Sequence, residues 1–434
     1  PFHLSSGQHD VEFRHEAKRP GSGGSYYLYW NGPDSGYSWQ IIPGNKYTNL
    51  RMTTYKLQTE PVPASELTDF HVKVLVAKTD MPEPNCKQYP NGKYKPIGLL
   101  QRFGEPDRLR FGLMTGSYEK NLSGGVLRKK IGSITDEINA TTGQFTSVNG
   151  IIKTIDKLRI TGFRYSDYAY APGWPKAWIS DREMNQGEQK DWGNPIAEMM
   201  YEGMRYFAGK KECTSAFDYT GGVDQALGLT KVDCSGPVGW DDPFETNDIC
   251  AKPFMLVLSD INPSFDTNQL PGINSNFGTF TGTLGSSDNP SVDLNVQTLA
   301  NQISALEYPP LAPLSSHYIG QKDNIYTGSC SPQDLSASGF GNIRGLCPEE
   351  PTKQGGYYSA SVAYFGRKQD INPGTDAQNV LTYAVGLASP LPKIEIKVGT
   401  KMVTLVPFGK TVGQIAILPI NPAQGQFQPS CTIV

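Results

Sequence analysis

The segment that ends at Asp260 constrains the fold more than any other part of the chain. Apolar residues run without interruption from Phe254 to Leu258, and Ser259, Asp260 and a loop containing Pro263 follow. A run that is apolar at both alternating positions predicts a strand buried on both faces, as in a parallel sheet. Ligands of such sheets bind beyond the carboxyl ends of the strands, so Asp260 is the first candidate site residue.

The strongest helix signal precedes this strand. Asn194 is a favoured N-cap residue, Pro195 suits the first helical position, and Gly209 is a typical stop. The apolar residues recur at helical spacing and predict an amphipathic helix. They are Ile196, Met199, Met200, Met204 and Phe207.

The order of the remaining elements predicts the fold class. Helical spacing is present near 151–158, 296–306 and 357–365, and strand patterns near 71–77, 110–118 and 380–388. Strands that alternate with helices in this way favour an α/β fold, in which an open, mostly parallel sheet is flanked by helices.

We expect three regions along the 434 residues. Residues 1–65 form an irregular β-rich segment, and residues 66–392 form the α/β domain. Long loops are inserted into that domain near 210–250 and 310–355. Residues 393–434 are the last region, in which Ile394, Ile396 and Val398 alternate with charged residues ahead of a Gly-Thr turn and a second apolar run at 402–406. This pattern predicts a β-hairpin that begins a further β module.

Charge and hydropathy exclude several classes of partner. The formal net charge is −3, which gives no basic surface for nucleic acid or an anionic membrane. No stretch approaches the ~18 apolar residues of a transmembrane helix.

Because Pro1 cannot be an initiator residue, we interpret the chain as a processed or excised piece.

The seven cysteines favour disulfides over a metal site, since the sequence contains no C-x-x-C pair or Cys/His cluster. Cys330 and Cys347 bracket one Gly/Ser/Pro-rich loop, and Cys213, Cys234 and Cys250 lie in another. Cross-links in these loops predict an oxidising compartment. The connectivity stays open, and the odd count leaves one thiol unpaired or paired outside this chain.

Signatures of catalysis are sparse. The chain has five histidines and contains no G-x-S-x-G elbow, no H-E-x-x-H helix and no phosphate-binding glycine loop. We therefore expect a non-enzymatic protein. The alternatives are a secreted carbohydrate-active enzyme that uses aromatic platforms and an acid pair, or a purely structural extracellular domain.

Asp260 and Asn194 are the candidate metal ligands. A helix that follows a strand begins at the strand's carboxyl end, so both residues are expected at one sheet edge. A carboxylate and an amide could bind Mg²⁺ or Ca²⁺ there, with water completing the ligand set. In the alternative interpretation, Asn194 only caps the helix and Asp260 only starts a turn.

A calcium loop is a second metal interpretation of the same segment. The polar residues that alternate along it resemble the first four ligand positions of such a loop. A calcium loop also needs glycine at its sixth position and a carboxylate at its twelfth, and this chain has Phe265 and Pro271 there. The alternating residues are Asp260, Asn262, Ser264 and Asp266.

Several stretches resemble the PilC/PilY family of type IV pilus biogenesis proteins and tip adhesins. The longest covers residues 110–132, and others cover 192–199, 259–266 and 389–394. The resemblance implies an exported bacterial protein at the pilus tip or outer surface, periplasmic in transit. It also implies minor pilins and a surface or host receptor as partners, and a calcium-binding β-propeller beyond Val434.

The family resemblance further implies a von Willebrand factor A-like domain. Leu258-Ser259-Asp260 stands where such domains carry Thr-Asp-Gly, and Gly193-Asn194-Pro195 where they carry Gly-Thr-Pro. Two departures are that Asn194 replaces the metal-contacting threonine and that no Asp-x-Ser-x-Ser motif occurs. We therefore expect a degenerate adhesion site that is impaired in metal binding or empty.

Overall fold

The structure is a computed structural model that divides into two compact units, residues 1–75 and 76–434. It describes residues 76–161 and 183–387, apart from short interruptions at 79, 81, 236–238, 248–249, 261, 308–316, 336–338, 348–350 and 373–375. Elsewhere it describes the backbone of individual strands and little else. The strand predicted at 71–77 lies mostly outside the described residues.

The first unit contains a four-stranded antiparallel sheet in the order β1-β2-β3-β4. Its strands are β1 (His15–Lys18), β2 (Ser25–Asn31), β3 (Tyr37–Ile41) and β4 (Thr48–Met52).

The second unit alternates helices with short strands. Its first half contains β5 (Cys86–Gln88), β6 (Tyr94–Pro96), α1 (Leu99–Gly104), β7 (Phe111–Thr115), β8 (Val126–Gly132), α2 (Ile151–Lys157), β9 (Phe163–Arg164), β10 (Ala169–Tyr170), α3 (Ile196–Phe207), α4 (Gly222–Ala226) and α5 (Pro243–Thr246). Its second half contains β11 (Phe254–Ser259), α6 (Val296–Glu307), β12 (His317–Lys322), β13 (Ile325–Gln333), β14 (Ile343–Leu346), α7 (Tyr358–Lys368), β15 (Leu381–Gly386), β16 (Ile394–Val398), β17 (Lys401–Lys410) and β18 (Gln428–Ile433).

The fold is mixed α/β and is built from several small sheets. Strands β11 and β15 pair in parallel, with Phe254 opposite Leu381 and Ser259 opposite Gly386. The pairs β5–β6, β7–β8 and β9–β10 are antiparallel, as are the sheets β13-β12-β14 and β16-β17-β18. Within the described part of the chain, the larger open parallel sheet predicted from the sequence is not confirmed.

Strand β11 differs from its prediction in burial. Met255 and Val257 pack against the core, but Phe254, Leu256 and Leu258 are exposed. Helix α3 packs against the side of β11 that carries Met255, and the other side of this strand is exposed, so the prediction of burial on both faces of β11 was wrong.

Residues 310–355 also differ from the predicted loop, because β12, β13 and β14 form a three-stranded sheet within them. Strand β13 is rich in Ser and Thr and contains Gly328, so it lacks the apolar alternation from which strands are predicted.

Helix α3 lies at the centre of the main hydrophobic core. Tyr201 and Met204 are fully buried on it, and they pack in one cluster with Tyr358 and Val362 of α7. Burial of each such side chain contributes roughly 1.5–3 kcal/mol. The apolar spacing that predicted α3 therefore identified the element around which this unit is packed.

The ends of α3 match the prediction in part. Gly209 has φ +65°, a left-handed conformation that suits glycine just beyond a helix. At the other end Pro195 precedes the first helical residue, and Asn194 makes no side-chain capping bond. The predicted N-cap role of Asn194 was wrong, because its side chain binds another loop.

Two disulfides confirm the expectation of cross-linked loops. Cys213 bonds to Cys234 within the segment that precedes β11, and Cys330 on β13 bonds to Cys347 just beyond β14. The first bridge closes a loop that contains α4, and the second joins the two outer strands of the β13-β12-β14 sheet.

A buried arginine connects the β7–β8 hairpin to the loop that is closed by the first disulfide. The Arg128 side chain has no exposed surface, and its Nη2 lies 2.7 Å from Oδ2 of Asp224. It also donates to the hydroxyls of Thr115 and Tyr219 and to two backbone carbonyls. These five contacts match the five N–H donors of a guanidinium.

None of the helices in the described residues is both long and apolar enough to cross a membrane.

We predict that Arg128→Met will lower the free energy of unfolding by about 3–5 kcal/mol, because it leaves the buried Asp224 carboxylate without its cation. Arg110→Met is the matched control, since Arg110 pairs with Asp107 at 3.9 Å and both side chains are over 40% exposed. We expect the control to cost at most about 1 kcal/mol. Urea denaturation of the oxidised protein, followed by circular dichroism, measures both. Equal losses would contradict a central role for the buried pair.

Candidate functional site

The end of β11 and the start of α3 meet through the side chain of Asn194. Its Nδ2 donates to the hydroxyl of Ser259 at 2.8 Å and to the carbonyl of Asn262 at 3.1 Å. The backbones of Asn194 and Ser264 also bond, since the Ser264 amide donates to the Asn194 carbonyl at 2.9 Å. The amide of Asn194 in turn donates to the Ser264 hydroxyl at 2.8 Å. The loop after β11 is therefore held directly against the start of α3.

Asp260 lies on the exposed side of the same loop. Its Oδ1 accepts a hydrogen bond from the Asn262 amide at 3.0 Å, as in an Asx turn. Asn262 thus contacts both Asp260 and Asn194. The sequence placed these two residues at one sheet edge, and the structure brings them together there.

Asp260 and Asn194 themselves supply few oxygen ligands. Asp260 offers one carboxylate, and Asn194 offers one side-chain carbonyl oxygen, while its Nδ2 donates to Ser259 and Asn262. Divalent cations of the Mg²⁺ and Ca²⁺ type require six or more oxygen ligands. These two residues alone do not fit a tightly bound cation, and the metal assignment stays a prediction.

The calcium-loop interpretation places Asp266 among the ligands, but Asp266 faces the interior. It is fully buried, and its Oδ1 accepts a hydrogen bond from the Gly356 amide at 3.0 Å. Asp260 is exposed. The two carboxylates of this segment therefore lie in different environments, and the polar side chains between them hold the loop itself.

Asn121 organises the segment that leads into Asn194. Its Nδ2 donates to the carbonyls of Glu188, Gln189 and Trp192. At Gly193, where φ is +108°, a Cβ would overlap the Asn121 carbonyl oxygen. Sequence reasoning did not identify Asn121 as part of the site. Its position inside the 110–132 stretch, which carries the family resemblance, was the available signal.

Two buried acids lie behind the edge. Glu198, in the first turn of α3, accepts hydrogen bonds from the amides of Gly124 at 2.9 Å and Gln269 at 3.1 Å. Burial raises the pKa of Glu198 well above its ordinary value, and the charge of Asp266 raises it further. Burial also raises the pKa of Asp266 to about 7, although backbone amides donate to it.

A third buried acid lies one turn further along α3. Glu202 accepts two hydrogen bonds from Thr214, each of 2.7 Å, and lies 3.4 Å from Nε of Arg205. Burial raises the pKa of Glu202 to about 7 despite these contacts. Glu198 and Glu202 both have no exposed surface. Sequence spacing did not reveal this, because charged residues at i, i+4 are usually solvated.

One group of potential metal ligands occurs among the described residues. Cys213, Asp218 and Cys234 lie close enough to bind one ion. However, the two sulfur atoms are joined as a disulfide, and Asp218 is paired with Lys231. The group therefore serves as a cross-link.

Comparisons with known proteins identify relatives of the chain. A family model described as "PilY1 homolog, second domain" matches residues 111–366. A protein named "Type IV pilus biogenesis factor PilY1 homolog" from Xylella fastidiosa (strain Temecula1 / ATCC 700964) is 39% identical over 389 residues, which covers 85% of this chain and 25% of the relative.

A second protein with the same name, from the same strain, is 23% identical over 352 residues, which covers 77% of this chain and 26% of the relative. The chain thus spans about a quarter of the length of these curated relatives. No solved structure matches it.

We predict that the protein loses stability as the pH rises from 5 to 8. The folded-state pKa values of Glu198, Glu202 and Asp266 are raised, so folding favours their protonated forms. That contribution is complete below the unfolded-state pKa, roughly 4–4.5. It disappears as the pH passes the folded-state pKa of about 7 that Glu202 and Asp266 share.

Thermal unfolding at a series of pH values measures this dependence. Glu198→Gln should weaken it, because a neutral amide replaces a group that must lose a proton in the buried site. Glu212→Gln, at an exposed position, is the matched control and should leave the dependence unchanged. A melting temperature that rises from pH 5 to 8 would contradict the prediction.

Proposed function

Because the chain belongs to the PilY1 homolog family, we propose that it forms part of a type IV pilus biogenesis factor that promotes pilus assembly. The observation that carries the proposal is the family match over residues 111–366, together with 39% identity to a PilY1 homolog over most of the chain. The factor is exported to the pilus tip or outer surface through the periplasm. The two disulfides support an oxidising compartment.

The proposed role includes adhesion. One part of the protein binds minor pilins and another binds a surface or host receptor. The β12–β13 hairpin supports a contact role, since Tyr318, Ile325 and Tyr326 are 45–51% exposed on it. Exposed tyrosines are typical of recognition surfaces, because they combine an apolar ring with a polar hydroxyl.

We also propose that the second unit is a von Willebrand factor A-like domain. Three observations support this: the parallel pairing of β11 with β15, the packing of α3 beside β11, and the contact of Asn194 with the loop after β11. The end of β11 and the start of α3 are the places where the sequence resembles such domains.

The proposed function is non-enzymatic. Glu198 and Asp266 are neighbouring acids, but both are fully buried, whereas a glycosidase needs two carboxylates that face a sugar across a cleft. The names of the relatives also describe biogenesis factors. The carbohydrate-active alternative has no specific support in the described residues.

We propose weak cation binding at Asp260 and Asn194, and predict dissociation constants for Ca²⁺ on the order of 10⁻⁴–10⁻³ M, as in weak extracellular modules. Asp260→Asn should abolish the heat of binding in a calorimetric titration, because it removes the carboxylate. Asp156→Asn, at an exposed position on α2, should bind as the unchanged protein does. Equal binding by Asp260→Asn would place the cation elsewhere.

We predict that deletion of the gene will remove surface pili and that the intact gene will restore them, because the factor is needed for assembly. Electron microscopy of the cells measures piliation. In a parallel assay, immobilised minor pilins should capture the purified protein. Tyr326→Lys should reduce capture about tenfold, the effect of losing ~1.4 kcal/mol of binding energy.

Ile155→Lys is the control for the capture assay. Ile155 is 51% exposed on α2, so the substitution adds the same charge at a similar exposure outside the hairpin. Normal piliation and adhesion in the deletion strain would refute the proposed function. Equal capture of both variants would refute only the role of the β12–β13 hairpin.

A further inference from the structure

Arg344, on β14, is a buried cation whose charge has no ion-pair partner among the described residues. It is 8% exposed, and a guanidinium stays charged in proteins. The ion pairs of this part of the chain include none for Arg344. Arg128, which is also buried, has the carboxylate of Asp224 at 2.7 Å. Buried charges are almost always paired, so Arg344 offers a place for an anion.

Neutral groups bind three of the five donors of Arg344. Its Nε donates to Oε1 of Gln321 at 2.7 Å. Its Nη1 donates to Oε1 of Gln354 at 3.0 Å and to the carbonyl of Phe277 at 3.3 Å. The Phe277 ring lies 4.8 Å from the guanidinium carbon. These contacts fix the plane of the guanidinium without neutralising its charge.

The remaining two donors of Arg344 are on Nη2. Neither takes part in a hydrogen bond among the described residues, where the side-chain bonds of Arg344 come from Nε and Nη1. Nη2 is also not one of the fully buried polar atoms that lack a partner in this part of the chain, so it reaches the surface. Two positioned N–H groups of a cation are therefore left for an acceptor from outside.

Tyr326, on β13, adds a hydroxyl on the same side of the sheet. Gln321 of β12 lies opposite Tyr326 in one direction and opposite Arg344 in the other, and directly opposite residues share a face. Two strand spacings separate Tyr326 from Arg344 by about 10 Å between Cα atoms. Burial raises the pKa of Tyr326, Glu183 raises it further, and Arg344 lowers it. The guanidinium and the hydroxyl therefore act on one another across Gln321.

We propose that Arg344 and Tyr326 bind the carboxylate of an aspartate or glutamate side chain on a partner protein. Nη2 of Arg344 donates charge-assisted hydrogen bonds to the carboxylate, and the hydroxyl of Tyr326 donates another. The proposal rests on the contact role proposed above for the β12–β13 hairpin, and it names the chemistry that this surface recognises. Binding supplies the anion that the buried cation lacks within the described residues.

The surroundings of Arg344 favour a protein carboxylate over other anions. Arg344 is the one cation that affects the pKa of Tyr326 in the described residues, and a single charge matches a carboxylate better than a dianionic phosphate. Tyr318 and Ile325 are exposed on the same hairpin. A protein partner carries apolar side chains that can cover them, whereas an acidic polysaccharide does not. Arginine and tyrosine are also enriched in protein interfaces.

Glu183 adds a second, electrostatic expectation. It is exposed, and its charge acts on the pKa values of both Arg344 and Tyr326. A negative charge near the site repels an incoming carboxylate. Glu183→Gln should therefore strengthen the binding of an acidic partner.

Calorimetric titration of the 434-residue chain with two short peptides tests the proposal. Both peptides are blocked at each end and carry isoleucines around one central residue, which is glutamate in the first peptide and glutamine in the second. The glutamate peptide should bind at least about tenfold more tightly, because hydrogen bonds to a charged group are the stronger ones. The comparison leaves the protein unchanged, so it does not depend on the folding of a variant.

Variants of the protein then assign the preference to its residues. Arg344→Gln should abolish the preference for glutamate, and Tyr326→Phe, which removes only an exposed hydroxyl, should weaken it about threefold. Arg102→Gln, at an exposed position on α1, is the matched control and should keep the full preference. Circular dichroism checks that each variant is folded. A full preference in both Arg344→Gln and Tyr326→Phe would overturn the proposal.

Other results would overturn the proposal by assigning a different occupant or none. Equal binding of the two peptides, or binding of neither, would exclude a site for a protein carboxylate. Binding of trigalacturonate without any preference between the peptides would assign the site to an acidic sugar. A preference for glutamate that appears only in Glu183→Gln would show that an acid of the chain itself occupies the site.

The peptide titration is separate from the assays of the proposed function. If immobilised minor pilins capture the protein but the peptides bind equally, only the carboxylate site is refuted. If the glutamate peptide is preferred but minor pilins do not capture the protein, the carboxylate site stands and the proposed binding of minor pilins fails.

Discussion

The fully buried charge of Arg128 constrains how the β7–β8 hairpin and the cysteine-containing loop fit together. A guanidinium in the protein interior is tolerated only when its donors are satisfied and its charge is paired. Arg128 meets that condition through Thr115 and Gly116 of its own hairpin and through Tyr219, Asp224 and Thr230 of the loop. The hairpin also supplies the Ile131 amide to the hydroxyl of Tyr206 on α3. The position of the loop relative to the hairpin and the central helix is thereby fixed by one network.

A second set of side-chain hydrogen bonds lies at the edge where β11 ends. Asn121, in the turn between β7 and β8, holds the segment before α3, and Asn194 holds the loop after β11. The stretch at residues 110–132, which carries the family resemblance, therefore contributes to the candidate site by holding the backbone of the segment before α3. Side-chain amides that bond to backbone carbonyls position a loop without adding charge. The acids behind this edge, Glu198 and Asp266, are buried and favour their protonated forms.

Periodic features were predictable from the sequence, and features that depend on distant partners were not. Helix α3 and helix α6 follow from apolar spacing. A cross-link in the loop that Cys330 and Cys347 bracket was expected, although the pairing itself was left open. The proximity of Asp260 and Asn194 was predicted from the rule that a helix which follows a strand begins at the strand's carboxyl end. The sheet β13-β12-β14 was missed because its strands are polar and depend on pairing with one another. The N-cap role predicted for Asn194 was wrong because a tertiary partner, Ser259, takes the place of the local capping bond.

The first disulfide has a consequence for how this interior charge becomes paired. Tyr219, Asp224 and Thr230 all lie between Cys213 and Cys234, which are 21 positions apart in sequence. The Cys213–Cys234 disulfide reduces the number of conformations open to the loop before it folds. The Asp224 carboxylate therefore reaches Arg128 sooner. Oxidative maturation and ion pairing are thus coupled in this region. Without the Cys213–Cys234 bond, Asp224 would therefore take longer to neutralise the Arg128 cation during folding.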